Sequence, residues 1–164
     1  MLVPLATFEN INCDSAISAI NAVKPDLIIL SGTRILSHTF LQRVNHPVIN
    51  IHAGITPKYR GVHGGYWALV NGDSHFFGST IHRVDEGIDT GKVIKYAYTN
   101  PSKRDNFVTY PILQQNAACK ELVSLLKSGK LFQVAEEPIT RESFLWSHPT
   151  IFEYLYYALS RGIK

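Results

Sequence analysis

The sequence predicts an α/β fold with an open, mostly parallel sheet. Residues 27–30 form a continuous apolar run bounded by turn residues, and residues 48–51, which follow Pro47, form a second run that is apolar except for Asn50. Such runs are typical of strands that a parallel sheet buries on both faces. Because a segment with helical spacing precedes each run, the order is helix, strand, helix, strand, as in a doubly wound sheet. Ligands of such sheets bind at the carboxyl ends of the strands.

The first elements are short. Residues 2–6 predict an irregular or edge strand, because Pro4 has no backbone N–H to donate. Asn12 or Asp14 can cap the helix that follows. The apolar stripe of that helix consists of Ala16, Ile17, Ala19, Ile20 and Val23. The inner face of the second helix, which Ser37 can cap, is formed by Phe40, Leu41 and Val44.

A glycine-rich loop, a helix and two strands follow the second apolar run. Residues 56–65 form the loop, which is dense in glycine, proline and basic side chains. Residues 64–70 predict a helix. Residues 76–84 and 92–98 predict two strands in a hairpin-like arrangement around the loop of residues 85–91.

The C-terminal part predicts two further helices. Residues 108–127 predict a long one. Residues 150–160 predict an aromatic, amphipathic helix whose apolar face suits the core or a subunit contact, as in a homodimer. We expect one domain over residues 1–164, with its core in residues 10–100 and its C-terminal helices in residues 107–164.

The composition predicts a cytoplasmic protein that binds neither nucleic acid nor membrane. Of the 164 residues, 45% are hydrophobic and 18% charged, and the charges that give the net +3 are scattered along the chain. No apolar run reaches the ~20 residues of a membrane helix, and the N-terminus lacks the basic region of a signal peptide. Cys13 and Cys119 show no paired spacing, as expected of thiols in a reducing compartment.

Three candidate catalytic groups come from a strand end and a loop. Asn50 and His52 are two residues apart at the end of the second apolar run, so their side chains project to the same side. An amide can donate to a developing oxyanion, and an imidazole can transfer a proton near neutral pH. Asp89, in a glycine-flanked loop, can order a water or hold the charged imidazole. Together these groups suit acyl transfer to an amine.

Other chemistries find less support in the sequence. Covalent catalysis lacks a serine in a GxSxG context and a cysteine beside a base. His52, His63 and His82 could bind a metal, but their spacing matches no compact ligand motif, so we predict no metal. The glycines of residues 61–65 lack the order of a phosphate-binding fingerprint.

Three motifs together resemble the 10-formyltetrahydrofolate-dependent formyltransferases. They are Asn-Ile-His-Ala-Gly at 50–54, Thr-Pro-Lys-Tyr-Arg-Gly at 56–61 and Val-Asp-Glu-Gly-Ile-Asp-Thr-Gly at 84–91. That family includes glycinamide ribonucleotide, methionyl-tRNA and sugar-amine formyltransferases. The resemblance covers roughly residues 10–100. It implies a Rossmann-like domain that moves a formyl group from 10-formyltetrahydrofolate to a primary amine.

The resemblance also implies roles for individual residues. Asn50 would stabilise the oxyanion, His52 would act as general acid/base or polarise the formyl group, and Asp89 would set the state of His52. The residues implied to hold the pterin are Arg34, Ile35, Leu36, Asp85, Glu86, Gly87 and Ile88. The residues implied to border the acceptor amine are Tyr59, Arg60, Gly61, His63, Gly64 and Trp67.

The chain also departs from the family. The first two strand–helix units of the family, with a glycine-containing loop that helps hold the acceptor, have no counterpart, so we expect a shortened sheet. The tRNA-binding domain of methionyl-tRNA formyltransferases is also missing, and residues 61–67 are more similar to the small-molecule and sugar-amine members. The expected function is therefore formyl transfer to a small amine, such as an amino sugar. The alternatives are a formyltetrahydrofolate hydrolase and an inactive folate-binding or structural remnant of the fold.

Overall fold

A computed structural model describes residues 6–164 and confirms the predicted α/β class. The helices are α1 (Asp14–Val23), α2 (His38–Arg43), α3 (Gly64–Val70), α4 (Tyr110–Lys127) and α5 (Ile151–Arg161). The strands are β1 (Ile28–Ser31), β2 (Val48–His52), β3 (Arg60–Gly61), β4 (Gly78–Arg83), β5 (Val93–Tyr98) and β6 (Leu145–Trp146). Of the strand predicted over residues 2–6, residues 2–5 lie outside the described part, and Ala6 has no regular structure.

The main sheet has the strand order β1-β2-β4-β5. β1 and β2 are parallel, with Leu30 opposite Asn50, which confirms the helix–strand–helix–strand prediction. β4 is antiparallel to both β2 and β5, so the predicted hairpin of β4 and β5 is also present. A second, short sheet joins β3 to β6 in parallel, and nothing in the sequence pattern predicted it.

β1 is more exposed than its apolar sequence predicts. Ile28 and Leu30 pack under α1 and α2, in a cluster that includes the fully buried Phe40. Ile29 points to the opposite face of the sheet and is 44% exposed. On that face α4 packs against β4, β5 and β2, whereas β1 forms the edge of the sheet described here. The expectation that residues 27–30 are buried on both faces is therefore wrong.

The N-cap predicted for α1 is also wrong, for a reason that matters to the site. The cap residue is Cys13, and no side chain caps the helix. The Asn12 side chain instead accepts a hydrogen bond from the Ser37 N–H (2.8 Å) and donates one to the Ile35 carbonyl (3.0 Å). Asn12 thus holds the turn that follows β1, while Ser37 caps α2 as predicted.

The aromatic C-terminal helix packs only part of its apolar surface. α5 begins at a capping box formed by Thr150 and Glu153. Tyr154 and Tyr157 pack against the core cluster around α3. Phe152, by contrast, is 80% exposed. The core contact is therefore confirmed for part of the helix, and a homodimer through the rest stays a prediction. In the described part of the chain, no helix combines the length and apolarity needed to cross a membrane.

Candidate active site

A cavity of about 1080 Å³ lies at the carboxyl ends of β1 and β2. This is the edge at which the predicted sheet type binds ligands. The turn after β1 and the end of β2 form two of its walls, and the loop after β4, β3, α4 and the segment after β6 form the others. Small-molecule sites are commonly about 300–1,000 Å³ in volume. The cavity is therefore large enough for a drug-sized ligand and a small second reactant.

The structure brings Asn50, His52 and Asp89 together at this cavity. Asn50 Nδ2 donates to Asp89 Oδ1 at 3.2 Å, and His52 Nδ1 lies 3.3 Å from Asp89 Oδ2. The Gly61 N–H donates to Asp89 Oδ2 at 2.9 Å and fixes the carboxylate from a third direction. An amide donor and an imidazole are thus both held against one carboxylate.

The partners of His52 show which of its ring nitrogens can exchange a proton. Nε2 lies 2.6 Å from the Tyr59 carbonyl oxygen, which can only accept, so Nε2 carries a hydrogen. In the neutral ring the lone pair is therefore on Nδ1, beside Asp89. Burial lowers the pKa of His52, and the Asp89 carboxylate opposes this effect. The neutral ring is thus favoured at rest, and Asp89 stabilises the imidazolium once Nδ1 takes a proton.

Asp89 remains ionised although only 11% of its side chain is exposed. Burial raises the pKa of Asp89, but contacts with neighbouring groups, among them the Gly61 N–H that donates to Oδ2, lower it by more, and the net shift is downward. The carboxylate is therefore available as an acceptor and as a counter-charge. His82, on β4, also lines the cavity, with Nε2 3.3 Å from Asn50 Nδ2.

The predicted pterin-binding residues lie on two walls of the cavity, with one exception. Arg34, Ile35 and Leu36 line one wall, in the turn that Asn12 holds. The members of the second group that line the other wall are Asp85, Gly87 and Ile88. Glu86 does not line it, because its carboxylate turns outward and lies 3.0 Å from His38 Nε2.

On the acceptor side, only Gly61 and His63 of the six predicted residues line the cavity. Tyr59 is fully buried and donates to Asp73 at 2.7 Å, and the buried Trp67 stacks on Trp146 with 4.9 Å between ring centroids. Both aromatic residues therefore stabilise the loop from inside instead of facing an acceptor.

Arg60 and Gly64 are also placed away from the cavity surface. Arg60 donates to the Ile88 carbonyl at 3.1 Å, so it braces the loop that carries Asp89. Gly64 packs against Gly54, and a Cβ at either position would collide with the other's backbone or its surroundings. We therefore keep Gly61 and His63 as the acceptor-side candidates.

The C-terminal segment adds wall residues that no sequence motif indicates. Trp146 and His148 line the cavity, and His63 Nε2 lies 2.9 Å from His148 Nδ1. These residues follow no motif, because the pairing of β3 with β6 brings them into the site from 85 residues away. Across residues 6–164, no group of three or more His, Cys, Asp or Glu side chains is arranged to hold a metal ion.

Gly61 is a point where the site depends on close backbone contact. It has φ +92°, and a Cβ there would collide with the Trp146 carbonyl of β6. Gly72 has a similar φ of +77° but open space around it, so it is a matched control. We expect Gly61→Ala to lower the free energy of unfolding by about 3 kcal/mol, and Gly72→Ala by about 1 kcal/mol. Urea denaturation measures both, and equal losses would contradict the close contact of β3 with β6.

Sequence comparison links the chain to one family. The sequence model described as "Formyl transferase" matches residues 8–110. The methionyl-tRNA formyltransferase of Thermodesulfovibrio yellowstonii is 33% identical over 108 residues, which are 65% of this chain and 35% of the relative. That of Agathobacter rectalis is 44% identical over 68 residues, 42% of this chain and 22% of the relative. The chain thus spans about a third or less of the length of these curated relatives.

Solved structures show the same fold. A phosphoribosylglycinamide formyltransferase from Streptococcus pneumoniae has a TM-score of 0.58 and 27% identity, over 70% of this chain and 63% of that one. A formyltransferase from Anoxybacillus kamchatkensis, in complex with UDP-4,6-dideoxy-4-formamido-L-AltNAc and tetrahydrofolate, has a TM-score of 0.66 and 24% identity, over 85% and 72% of the two chains. Both likenesses agree with the Rossmann-like fold implied by the three motifs.

Proposed function

This chain belongs to the formyl transferase family, and on that basis we propose that it transfers a formyl group from 10-formyltetrahydrofolate to the primary amine of a small molecule. The observation that carries the proposal is the arrangement of Asn50 Nδ2 and His52 Nδ1 on one ionised carboxylate, at 3.2 and 3.3 Å. An N–H donor, a proton acceptor and a counter-charge are the groups that acyl transfer to an amine requires.

Each of the three residues has a step in this reaction. The amine nitrogen forms a bond to the formyl carbon, and the formyl oxygen becomes an oxyanion to which the Asn50 N–H donates. His52 Nδ1 takes the proton that the amine loses, and Asp89 stabilises the resulting imidazolium. The oxyanion then returns to a carbonyl as the bond between the formyl carbon and the folate nitrogen breaks, and that nitrogen receives the proton that His52 holds and leaves as tetrahydrofolate. The balanced products are a formamide and tetrahydrofolate.

The cavity suits a folate on one side. Its walls there carry apolar side chains such as Ile35, Leu36 and Ile88, as small-molecule pockets do. Ile35 lines this wall and is 66% exposed, so a planar ring would cover apolar surface that is otherwise open to solvent. Asp85 accepts from the Gly87 N–H and the Thr90 hydroxyl, which keeps the opposite loop in a defined conformation.

A small amine is the proposed acceptor. Next to the catalytic groups, the acceptor side of the cavity is formed by Gly61, His63, Trp146 and His148. A wall with aromatic and imidazole rings suits a compact polar molecule such as an amino sugar. The solved neighbour from Streptococcus pneumoniae, a phosphoribosylglycinamide formyltransferase, supports a small-molecule acceptor. The two curated relatives described above are methionyl-tRNA formyltransferases, so methionyl-tRNA is included as an acceptor in the test.

The direct test is a product assay with the purified chain. It is incubated with 10-formyltetrahydrofolate and, separately, with an amino sugar, glycinamide ribonucleotide, methionyl-tRNA or no acceptor. We expect tetrahydrofolate and an N-formyl product to appear together, and only with a small amine. Formate release without any acceptor would instead identify a hydrolase. Folate binding in a calorimeter without turnover in any arm would identify a binding remnant.

A further inference from the structure

His82 is buried beside the proposed catalytic groups, and the mechanism above gives it no role. In the antiparallel pair of β2 and β4 it lies directly opposite Asn50, so the two side chains leave the same face of the sheet. The His82 side chain is only 3% exposed. Its Nε2 is 3.3 Å from Asn50 Nδ2 and 3.5 Å from Asp89 Oδ1. Because 3.5 Å is long for a hydrogen bond, Asn50 is the closer partner.

An irregularity in β4 sets the position of the proton on this ring. The register between β4 and β5 shifts between Ile81 and His82, and His82 Nδ1 lies 2.8 Å from the carbonyl oxygen of Arg83. A carbonyl oxygen can only accept, so Nδ1 carries a hydrogen. The neutral ring therefore has its lone pair on Nε2, facing Asn50. Gly91 is needed for this geometry, because a Cβ there would collide with the Arg83 carbonyl.

The amide of Asn50 is thus held between two acceptors. Asp89 Oδ1 and His82 Nε2 both face its nitrogen, at 3.2 and 3.3 Å. If the amide flipped, its oxygen would face a carboxylate and a lone pair, and both contacts would be repulsive. An oxyanion is a stronger acceptor than a neutral ring nitrogen. The Asn50 N–H that donates to His82 in the resting site can therefore donate to the oxyanion instead, once negative charge develops there.

We propose that His82 is a positioning residue: its Nε2 lone pair holds the Asn50 amide in the orientation that presents an N–H to the oxyanion. This inference rests on the proposed function, because the oxyanion forms only if the chain transfers an acyl group. A purely structural His82 would instead matter through the hydrogen bond from Nδ1 to the Arg83 carbonyl and through the volume of its ring.

Two substitutions separate these roles. The amide of His82→Gln reaches the position of Nε2, whereas the amide of His82→Asn reaches only the position of Nδ1. We expect His82→Asn to lower kcat by about 10- to 100-fold, which is less than the loss of an oxyanion donor itself, with the KM of the donor little changed. His82→Gln should retain most of kcat, because its oxygen can accept from Asn50. Thermal unfolding of both variants checks that they fold.

The reverse order, with His82→Asn active and His82→Gln impaired, would overturn the proposal, as would equal losses of kcat in both variants. A second measurement does not depend on activity or on the folding of variants. In ¹⁵N NMR spectra of the wild-type chain at neutral pH, we expect the His82 ring to carry its hydrogen on Nδ1 and none on Nε2. A hydrogen on Nε2 would overturn the proposal. A wild-type chain without formyl transfer would contradict the proposed function and leave the NMR test in force.

Discussion

We expect Asp89→Asn to lower kcat for formyl transfer on the order of 100-fold or more. Asp89 accepts from Asn50 Nδ2 and the Gly61 N–H and lies 3.3 Å from His52 Nδ1. An asparagine at this position keeps the volume but removes the charge that stabilises the His52 imidazolium. The new NH2 group would also face one of the N–H donors that the carboxylate accepted from. The Asn50 amide and the His52 ring therefore both lose their orientation.

The pH dependence gives this substitution a specific signature. Burial lowers the pKa of His52, so the wild-type rate should persist below the ordinary histidine value of about 6.5 and fall only at a more acidic pH. Nδ1 is then already protonated and cannot take the proton of the amine. Because Asp89 raises the pKa of His52, its loss should move this acid limb to still lower pH.

The control for Asp89→Asn is Asp26→Asn, which removes the same charge from an exposed position. It should leave kcat and the pH profile unchanged. Steady-state rates between pH 5 and pH 9 measure both variants. If Asp89→Asn had a wild-type rate, or an acid limb at higher pH than the wild type, the role assigned to Asp89 would be wrong.

Asn50→Ala is expected to cost a similar factor, on the order of 100-fold in kcat, through the loss of the oxyanion donor. Asn50→Asp tests the donor more strictly, because the side chain keeps its shape but has no N–H. It also places a second carboxylate beside Asp89, so its rate should be no higher than that of Asn50→Ala. Both effects should appear in kcat and only weakly in the KM of the donor.

The control for the two Asn50 substitutions is Asn45→Ala, which removes an exposed amide just before β2. Its rate should equal that of the wild type. Single-turnover measurements with saturating donor separate chemistry from product release. An Asn50→Asp variant that transferred formyl groups at the wild-type rate would show that the amide donates nothing to the reaction.

Sequence patterns predicted the helices and strands that consist of apolar segments bounded by turn residues. Residues 48–51 and 64–70 were located because each is a largely apolar segment next to glycine, proline or other turn residues. Ile29 shows the limit of such patterns. An apolar run reveals that a strand prefers burial, but whether a neighbouring helix covers a given side chain depends on tertiary packing.

The candidate site shows the same division. The spacing of Asn50 and His52 predicted a shared side from strand geometry alone, and the structure places both against Asp89. The family motifs supplied Asp89, since no local pattern connects it with β2. The sequence did not predict the roles of Trp146 and His82 in the site. One depends on a two-residue strand without periodicity, and the other on the register of two strands and an irregularity between them.

The most direct test of the account compares the wild-type chain with His52→Ala in one assay. Both are supplied with 10-formyltetrahydrofolate and a reactive amino sugar, and the N-formyl product is quantified by mass spectrometry against a reaction without protein. We predict product formation by the wild type and a rate for His52→Ala that is on the order of 100-fold lower or at background. Identical rates for the two proteins, at background or above it, would contradict the claim that this cavity catalyses formyl transfer.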